Sequence, residues 1–505
     1  MELTTSCNYV LRLKVVNCWN WLIGGKDSRP TTKLAAKFWY KTWVKKALKP
    51  NLNAGASHQH AVAHLPAADL PRVTQALGVV GDVFGRGGGH HQHHHLRALA
   101  LFERGELGLD GSVRAVPGSL SVAMAVRKRE DLKLIVPWEN YAEAALVDGI
   151  KVIPVKTLLD AVQVIRGDTY VIPPRPDPEE LLSRALLLHV DYADVKGNLA
   201  AKRALEIAAA GGHNLLMVGP PGSGKTMLAR RMPGILPPMS VEEALDVTRI
   251  HSISSITAGG TRLMVHRPFR SPHHTVSHAG LTGGGSIPRP GEVSLAHRGV
   301  LFLDELPEFH RDVLEVMRQP LEERKVTISR AKVSVDYPAN FMLIASMNPC
   351  PCGYYNHPEK ECVCGPGIVQ RYLNKVSGPL LDRIDLHVEV TPVKFDEMTS
   401  TRKSESSKAI RERVIMGREK QAERFKNNPE VFCNAMMPSH LVKEVCQINY
   451  AGKALLKTAM ERLGLSARAY DRILKVARTI ADIAGSEQIK VEHLAEAIQY
   501  RSLDR

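Results

Sequence analysis

Hydrophobic positions along this chain change period three times. Residues 105–166 hold short β-rich runs, Leu132–Val136 and Lys151–Val155, and a helical pattern over Tyr141–Asp148. Pro173, Pro174, Pro176 and Pro178 then interrupt any helix or central strand, which predicts a linker over 173–190. Between Asp191 and Pro392, apolar runs at Asn214–Val218, Val300–Asp304, Phe341–Ser346 and Leu386–Val390 alternate with helical periods, the pattern of a parallel α/β sheet. Beyond Phe395 the period is helical throughout, over 404–425, 451–463, 467–484 and 491–501. Ser466 is placed to cap the third of these at its start and Gly485 at its end.

The first hundred residues follow no such period. Trp19, Trp21, Trp39 and Trp43 lie there among lysines, and 85–95 runs Gly-Arg-Gly-Gly-Gly-His-His-Gln-His-His-His. A run of this kind is a metal-binding tract or, as the absence of an apolar period favours, a loop or the product of an altered reading frame. The expected divisions are a divergent segment 1–104, an α/β remnant 105–172, the linker 173–190, a sheet domain 191–394 and a helical domain 395–505.

Composition narrows the class. Across 505 residues, 44% hydrophobic and 24% charged is ordinary for a globular chain. No apolar run reaches the ~18 residues that span a bilayer, and Arg12 and Lys14 interrupt the only apolar stretch near the start, so no membrane association and a cytoplasmic location are expected. A net charge of +15 suits a polyanionic partner and equally a basic solvated surface. Four of the eight cysteines, Cys350, Cys352, Cys362 and Cys364, fall together; in a cytosolic chain that points to metal. They supply enough thiolates for a tetrahedral Zn²⁺ site, with four reduced structural cysteines as the alternative.

The chemistry concentrates in the sheet domain. The apolar run Leu215–Val218 feeds into Gly219, Pro220, Pro221, Gly222, Ser223, Gly224, Lys225 and Thr226, and Met227–Arg230 begins a helix. This is the strand–loop–helix of a P-loop: backbone N–H groups and a helix N-terminus cradle phosphate, Lys225 reaches the β- and γ-phosphates of ATP, and Thr226 ligates Mg²⁺. A second apolar run ends in Asp304 and Glu305, the first suited to holding Mg²⁺ and the second to acting as general base. A third ends in Met347–Asn348, where an amide can position water beside the γ-phosphate.

With these residues in place the chain resembles the magnesium-chelatase-like AAA+ ATPases of the YifB/competence protein ComM family. The resemblance rests on Asp191-Tyr-Ala-Asp-Val-Lys-Gly, Arg267-Pro-Phe-Arg-Ser-Pro-His-His-Thr-Val-Ser, Gly283-Gly-Gly, Pro290-Gly-Glu-Val-Ser-Leu-Ala-His-Arg-Gly, Met347-Asn-Pro-Cys-Pro-Cys-Gly and Ser377-Gly-Pro-Leu-Leu-Asp-Arg-Ile-Asp-Leu-His. It implies an α/β fold: an AAA+ P-loop parallel-sheet core with a C-terminal helical lid, preceded by a Lon-like, ribosomal S5-like domain. It also implies Arg383 as an arginine finger, Arg468 as the sensor arginine of the lid with Arg472 as fallback, and hence a homo-hexamer. Two basic insertions become candidate DNA contacts, 249–298 with Arg267 and Arg270, and a predicted hairpin over 325–335 with Arg330 near its tip. Packing between subunits is their alternative use.

Three departures stand out. Ser121 takes the place where Lon proteases carry the lysine partner of a catalytic serine, so no protease activity is expected. Asn198 stands where the family usually has Gln. Residues 1–60 match no part of the implied N-terminal domain, which suggests a frame change upstream of Gly105. The expected function is a ring ATPase that translocates on or remodels DNA, as in branch migration. The alternative is a chelatase-like motor that remodels a protein partner without DNA.

Overall fold

The computed structural model describes residues 106–501, apart from short breaks at 109, 128–132, 167–169, 185–189, 255–262, 286–287, 331–332, 356, 358, 394–396, 398–403 and 429. The divergent segment 1–104, its histidine run and the inferred frame change lie outside the described residues. The described residues fall into two compact units that divide at Asp177.

The first unit holds β1 (Glu106–Leu107), β2 (Val113–Arg114), α1 (Ser119–Val126), β3 (Lys133–Pro137), β4 (Lys151–Val155) and α2 (Leu158–Arg166). Strands β3 and β4 pair in parallel, and β1 pairs with β2 antiparallel. The helix expected over Tyr141–Asp148 is a single turn, Tyr141–Ala144. Ser121 sits on α1, its Oγ sequestered without a hydrogen-bond partner among the described residues.

The stretch read as linker is extended to Asp177, then turns helical over Pro178–Arg184. Pro178 begins that helix because its missing N–H costs nothing at a first helical position.

The second unit carries α3 (Leu199–Gly211), β5 (Leu215–Val218), α4 (Lys225–Arg230), α5 (Val241–Ser254), β6 (Phe269–Arg270), β7 (Gly283–Gly284), β8 (Arg289–Pro290), β9 (Val300–Leu303), β10 (Lys325–Arg330), β11 (Val333–Pro338), β12 (Met342–Met347) and β13 (Leu386–Glu389). Five of these strands form one parallel sheet in the order β13–β5–β12–β9–β6. Both faces are covered, as continuous apolar strands require. Leu215, Met217, Phe302, Ile344 and Leu386 pack on one side with Ala204, Leu205 and Ala208 of α3. Leu216, Leu301, Leu303, Leu343 and Ala345 pack on the other with Phe309, Met317 and Leu380. The alternation along each strand follows from its two-residue side-chain period.

The C-terminal region is helical: α6 (Ser407–Arg424), α7 (Tyr450–Leu463), α8 (Ala467–Ile483) and α9 (Val491–Gln499), with a short helix over Ser439–Val445. Ser466 caps α8, its side chain accepting from the Ala469 N–H. At the other end Gly485 adopts φ 74° just past the cap residue Ala484, a conformation that a side chain would disfavour. Ile410, Val414, Ile473, Ala477 and Leu494 join the apolar cluster on the α3 face of the sheet, so lid and core share one interior. Among the described residues no helix is long and apolar enough to cross a membrane.

Candidate nucleotide site

Strand register decides which residues meet. Val218 pairs with Met347 and Leu303 with Ala345, so β5, β12 and β9 end side by side and release the P-loop, Asn348 and Asp304 at one edge. In parallel α/β sheets this carboxyl edge is where ligands bind.

The loop itself is held tightly. The Gly219 N–H donates to the Met347 carbonyl at 3.1 Å, tying the start of the loop to the neighbouring strand. A Cβ on Gly219 would strike the Val390 carbonyl, so the position accepts only glycine. Gly224 has φ 91° and opens α4 at Lys225. The Lys225 Nζ donates to the Gly219 and Pro220 carbonyls at 2.7 and 2.8 Å and to Asn348 Oδ1 at 3.3 Å. Burial lowers its pKa, opposed by the Asp304 and Glu305 carboxylates, so the ammonium sits where an anion would relieve its desolvation.

Thr226 Oγ1 donates to Asp304 Oδ2 at 2.7 Å, placing a hydroxyl and a carboxylate together as hard oxygen donors of the kind Mg²⁺ takes. Ser346 Oγ bonds the other Asp304 oxygen. Sequence reading missed Ser346; only the β9–β12 register reveals it. Glu305 adopts a left-handed backbone, φ 55°, which costs a non-glycine residue roughly 1–2 kcal/mol and turns its side chain out, 60% exposed. His274 Nδ1 lies 3.6 Å from Glu305 Oε2, with its ring tilted against that of His273 and edge-on to Phe309. His274 belongs to the Arg-Ser-Pro-His-His run, where sequence alone assigns it no separate role.

Asn198, noted as a departure, also reaches this site. Its backbone is left-handed, φ 53°, a conformation that asparagine accommodates better than longer side chains. Its side-chain amide donates to the Ser223 carbonyl at 3.4 Å.

The expected arginines divide. Arg383 is buried, paired with Glu322 and donating to the Pro379 carbonyl at 2.6 Å, all within its own chain. Arg472 pairs with buried Asp385 and is committed to joining α8 to the strand edge. Arg468 is exposed, with no ion-pair or hydrogen-bond partner among the described residues. Of the candidate nucleic-acid contacts, Arg267 is spent on architecture. It bonds the Pro237, Pro238 and Arg298 carbonyls and Glu243, with its side chain only 14% exposed. Arg270 is held bidentate by Glu292 at 2.6 and 2.7 Å. Both local acids sit in sequence too far from their arginines for spacing to reveal the pairs. Arg330 remains exposed at the end of β10, which pairs with β11 through Arg330–Val333 as a hairpin.

The four clustered cysteines also converge. Their sulfurs all lie within 4.8 Å of one another, and none is in a disulfide. The Tyr354 N–H pulls the Cys352 thiol down to about 6.

Comparison with known proteins agrees with this geometry. Residues 191–398 match the family of magnesium chelatase subunit ChlI, and 404–501 match the C-terminal region of the same subunit. The chain is 44% identical to the uncharacterized protein YifB of Escherichia coli over 402 residues, 79% of this chain and 77% of that one. It is 43% identical to the competence protein ComM of Haemophilus influenzae over 410 residues, with the same shares. A more distant likeness, 28% over 210 residues, links it to the magnesium-chelatase 67 kDa subunit of Chlorobaculum parvum, covering 40% of this chain and 27% of that one. With its parallel P-loop sheet, helical C-terminal region and this extent of identity, the chain belongs to the YifB/ComM family of magnesium-chelatase-like AAA+ ATPases.

Proposed function

We propose that this protein hydrolyses ATP at the edge shared by β5, β12 and β9, as one subunit of a homo-hexameric ring, and uses the cycle to move along or remodel DNA. The convergence of Lys225, Thr226, Asp304, Glu305 and Asn348 on one sheet edge carries the reading.

In this reading the loop amides between Gly219 and Thr226 wrap the phosphates, and Lys225 exchanges its carbonyl partners for β- and γ-phosphate oxygens. Thr226 and Asp304 hold Mg²⁺, with Ser346 fixing the Asp304 carboxylate. Bound there, Mg²⁺ would supply positive charge to offset the negative charge of the phosphates. Glu305 takes a proton from the attacking water, which Asn348 orients. His274, 3.6 Å from the Glu305 carboxylate, would help orient it. Arg468, exposed on the lid, is the candidate to reach the γ-phosphate. Arg383 serves a neighbouring site in trans only when its pair with Glu322 opens.

The DNA half of the proposal is supported by exposed Arg330 on its hairpin and by kinship with a protein named for competence. It is tested by ATP turnover with and without single-stranded and branched DNA at low salt. Stimulation by DNA is expected. Turnover that ignores DNA, together with no DNA binding, would leave the chelatase-like motor acting on a protein partner as the reading to pursue.

A further inference from the structure

Cys350 is fully buried, and its sulfur lies 3.3 Å from that of Cys352 and 3.7 Å from that of Cys362; Cys352 and Cys362 are 3.6 Å apart. Four sulfurs at ~2.3 Å from one Zn²⁺ would stand about 3.8 Å from each other, close to this spacing. The loop that carries them leaves β12 directly after Asn348 and turns at Gly353 with φ 84°. There it presses on the P-loop. A Cβ at Gly353 would fall on the Pro221 ring, 2.9 Å from Cγ and closer still to Cδ. The backbone of the cysteine loop is thus in contact with the second proline of the phosphate-binding turn, and the Gly353 N–H donates to the Cys350 carbonyl at 3.0 Å, linking that contact to the sulfur cluster.

We propose that Cys350, Cys352, Cys362 and Cys364 bind one Zn²⁺ as a closed tetrahedral centre that seats Gly353 against Pro221 and so holds the P-loop in its phosphate-binding form. The metal replaces the thiol protons, which pass to solvent. The second half of this inference rests on the P-loop being the ATP site.

The test uses the full chain kept reduced. Elemental analysis should find one zinc per chain, and Co²⁺ exchanged into the site should give the absorption of a tetrahedral thiolate centre. Stripping the metal with a chelator should weaken binding of a non-hydrolysable ATP analogue by about tenfold, and adding Zn²⁺ alone should restore it. Cys352→Ser/Cys362→Ser should lose the metal; circular dichroism reports whether it still folds, and the strip-and-restore arm on the unaltered chain stands if it does not. Gly353→Ala should keep the zinc yet bind the analogue about tenfold more weakly. A chain that takes up no zinc, or whose native mass shows the four thiols paired as disulfides, overturns the site. Unchanged analogue binding after metal removal overturns the bracing. A zinc-loaded chain that binds no nucleotide at all contradicts the ATP reading instead, and the zinc count tells the two failures apart.

Discussion

Asp304 is gripped from two sides, by Thr226 on the P-loop helix and by Ser346 on the adjacent strand, whereas Glu305 next to it is turned out by a left-handed backbone. In the proposed reading, neighbours in sequence therefore do different work, Asp304 holding a cation and Glu305 acting on water. Glu305→Gln is expected to keep ATP binding while turnover falls by roughly 10²–10⁴-fold, the usual worth of a general base; a variant with normal turnover removes Glu305 from that role. Lys225→Ala should abolish nucleotide binding, read by fluorescence titration. Ser346→Ala should leave the fold intact and raise the Mg²⁺ concentration needed for half-maximal turnover by about 10–100-fold, as loss of a partner to a metal ligand does. The first two residues were legible in sequence because their motif positions are contiguous. Ser346 was not, because its relation to Asp304 is a register between strands 42 residues apart.

At the scale of elements, polar contacts join the helical region to the sheet. Arg203 of α3 pairs with Glu496 of α9 at 2.9 Å, and Arg413 of α6 with Glu206 of α3 at 2.5 Å. The most deeply placed joint is Asp385, just before β13, which accepts from the Asn214 N–H at 3.1 Å and pairs with Arg472 of α8. Burial opposes its charge, but the Arg472 guanidinium and His213 hold the carboxyl well below the ordinary carboxylate range. Asp385→Ala should destabilise the lid–sheet joint by about 3–5 kcal/mol, since it strands a largely covered guanidinium, measured by urea unfolding. A depressed folded pKa contributes stability that is fully present above the unfolded value of ~3.9 and is lost as pH falls below it. The stability gap between the unaltered chain and Asp385→Asn should therefore be constant near neutrality and shrink below about pH 4. A gap that persists in acid means the carboxylate charge is not what joins the two. The helical periods beyond Phe395 announced these elements, because each helix buries one face; the ion pairs between them depend on which faces meet.

For the whole molecule, part of the basic charge is spent locally. Arg267 and Arg270 pair with Glu243 and Glu292, whereas Arg289 and Arg330 stay exposed, and in the proposed reading Arg330 on the β10–β11 hairpin is the DNA contact to test first. Arg330→Ala should weaken DNA binding across sequences alike and reduce the slope of log affinity against log salt by about 1, with DNA-free ATP turnover unchanged. An unaltered slope places the polyanion elsewhere. Ring assembly is testable at the same scale. Mixing Arg383→Ala subunits with Glu305→Gln subunits should restore turnover if Arg383 serves a neighbour, because some interfaces then pair an intact base with an intact arginine; no restoration assigns Arg383 to its pair with Glu322 alone.

Contiguous motifs and their strand and helix context were enough, from the order of residues alone, to determine the P-loop of Gly219–Thr226, the carboxylates Asp304 and Glu305, the parallel sheet and the helical lid. Such features are local: a glycine turn, an apolar strand and a helix start are set by neighbouring residues and appear wherever those neighbours occur. Tertiary structure alone decided the grip of Ser346 on Asp304, the approach of His274 to Glu305, the reach of Asn198 to Ser223 and the seating of Gly353 on Pro221. It also decided that Arg267 and Arg270 are occupied within their own subunit. These depend on strand order and on the close packing of loops distant in sequence, and a charge or hydroxyl is available for chemistry only when no nearer partner in the folded chain has taken it.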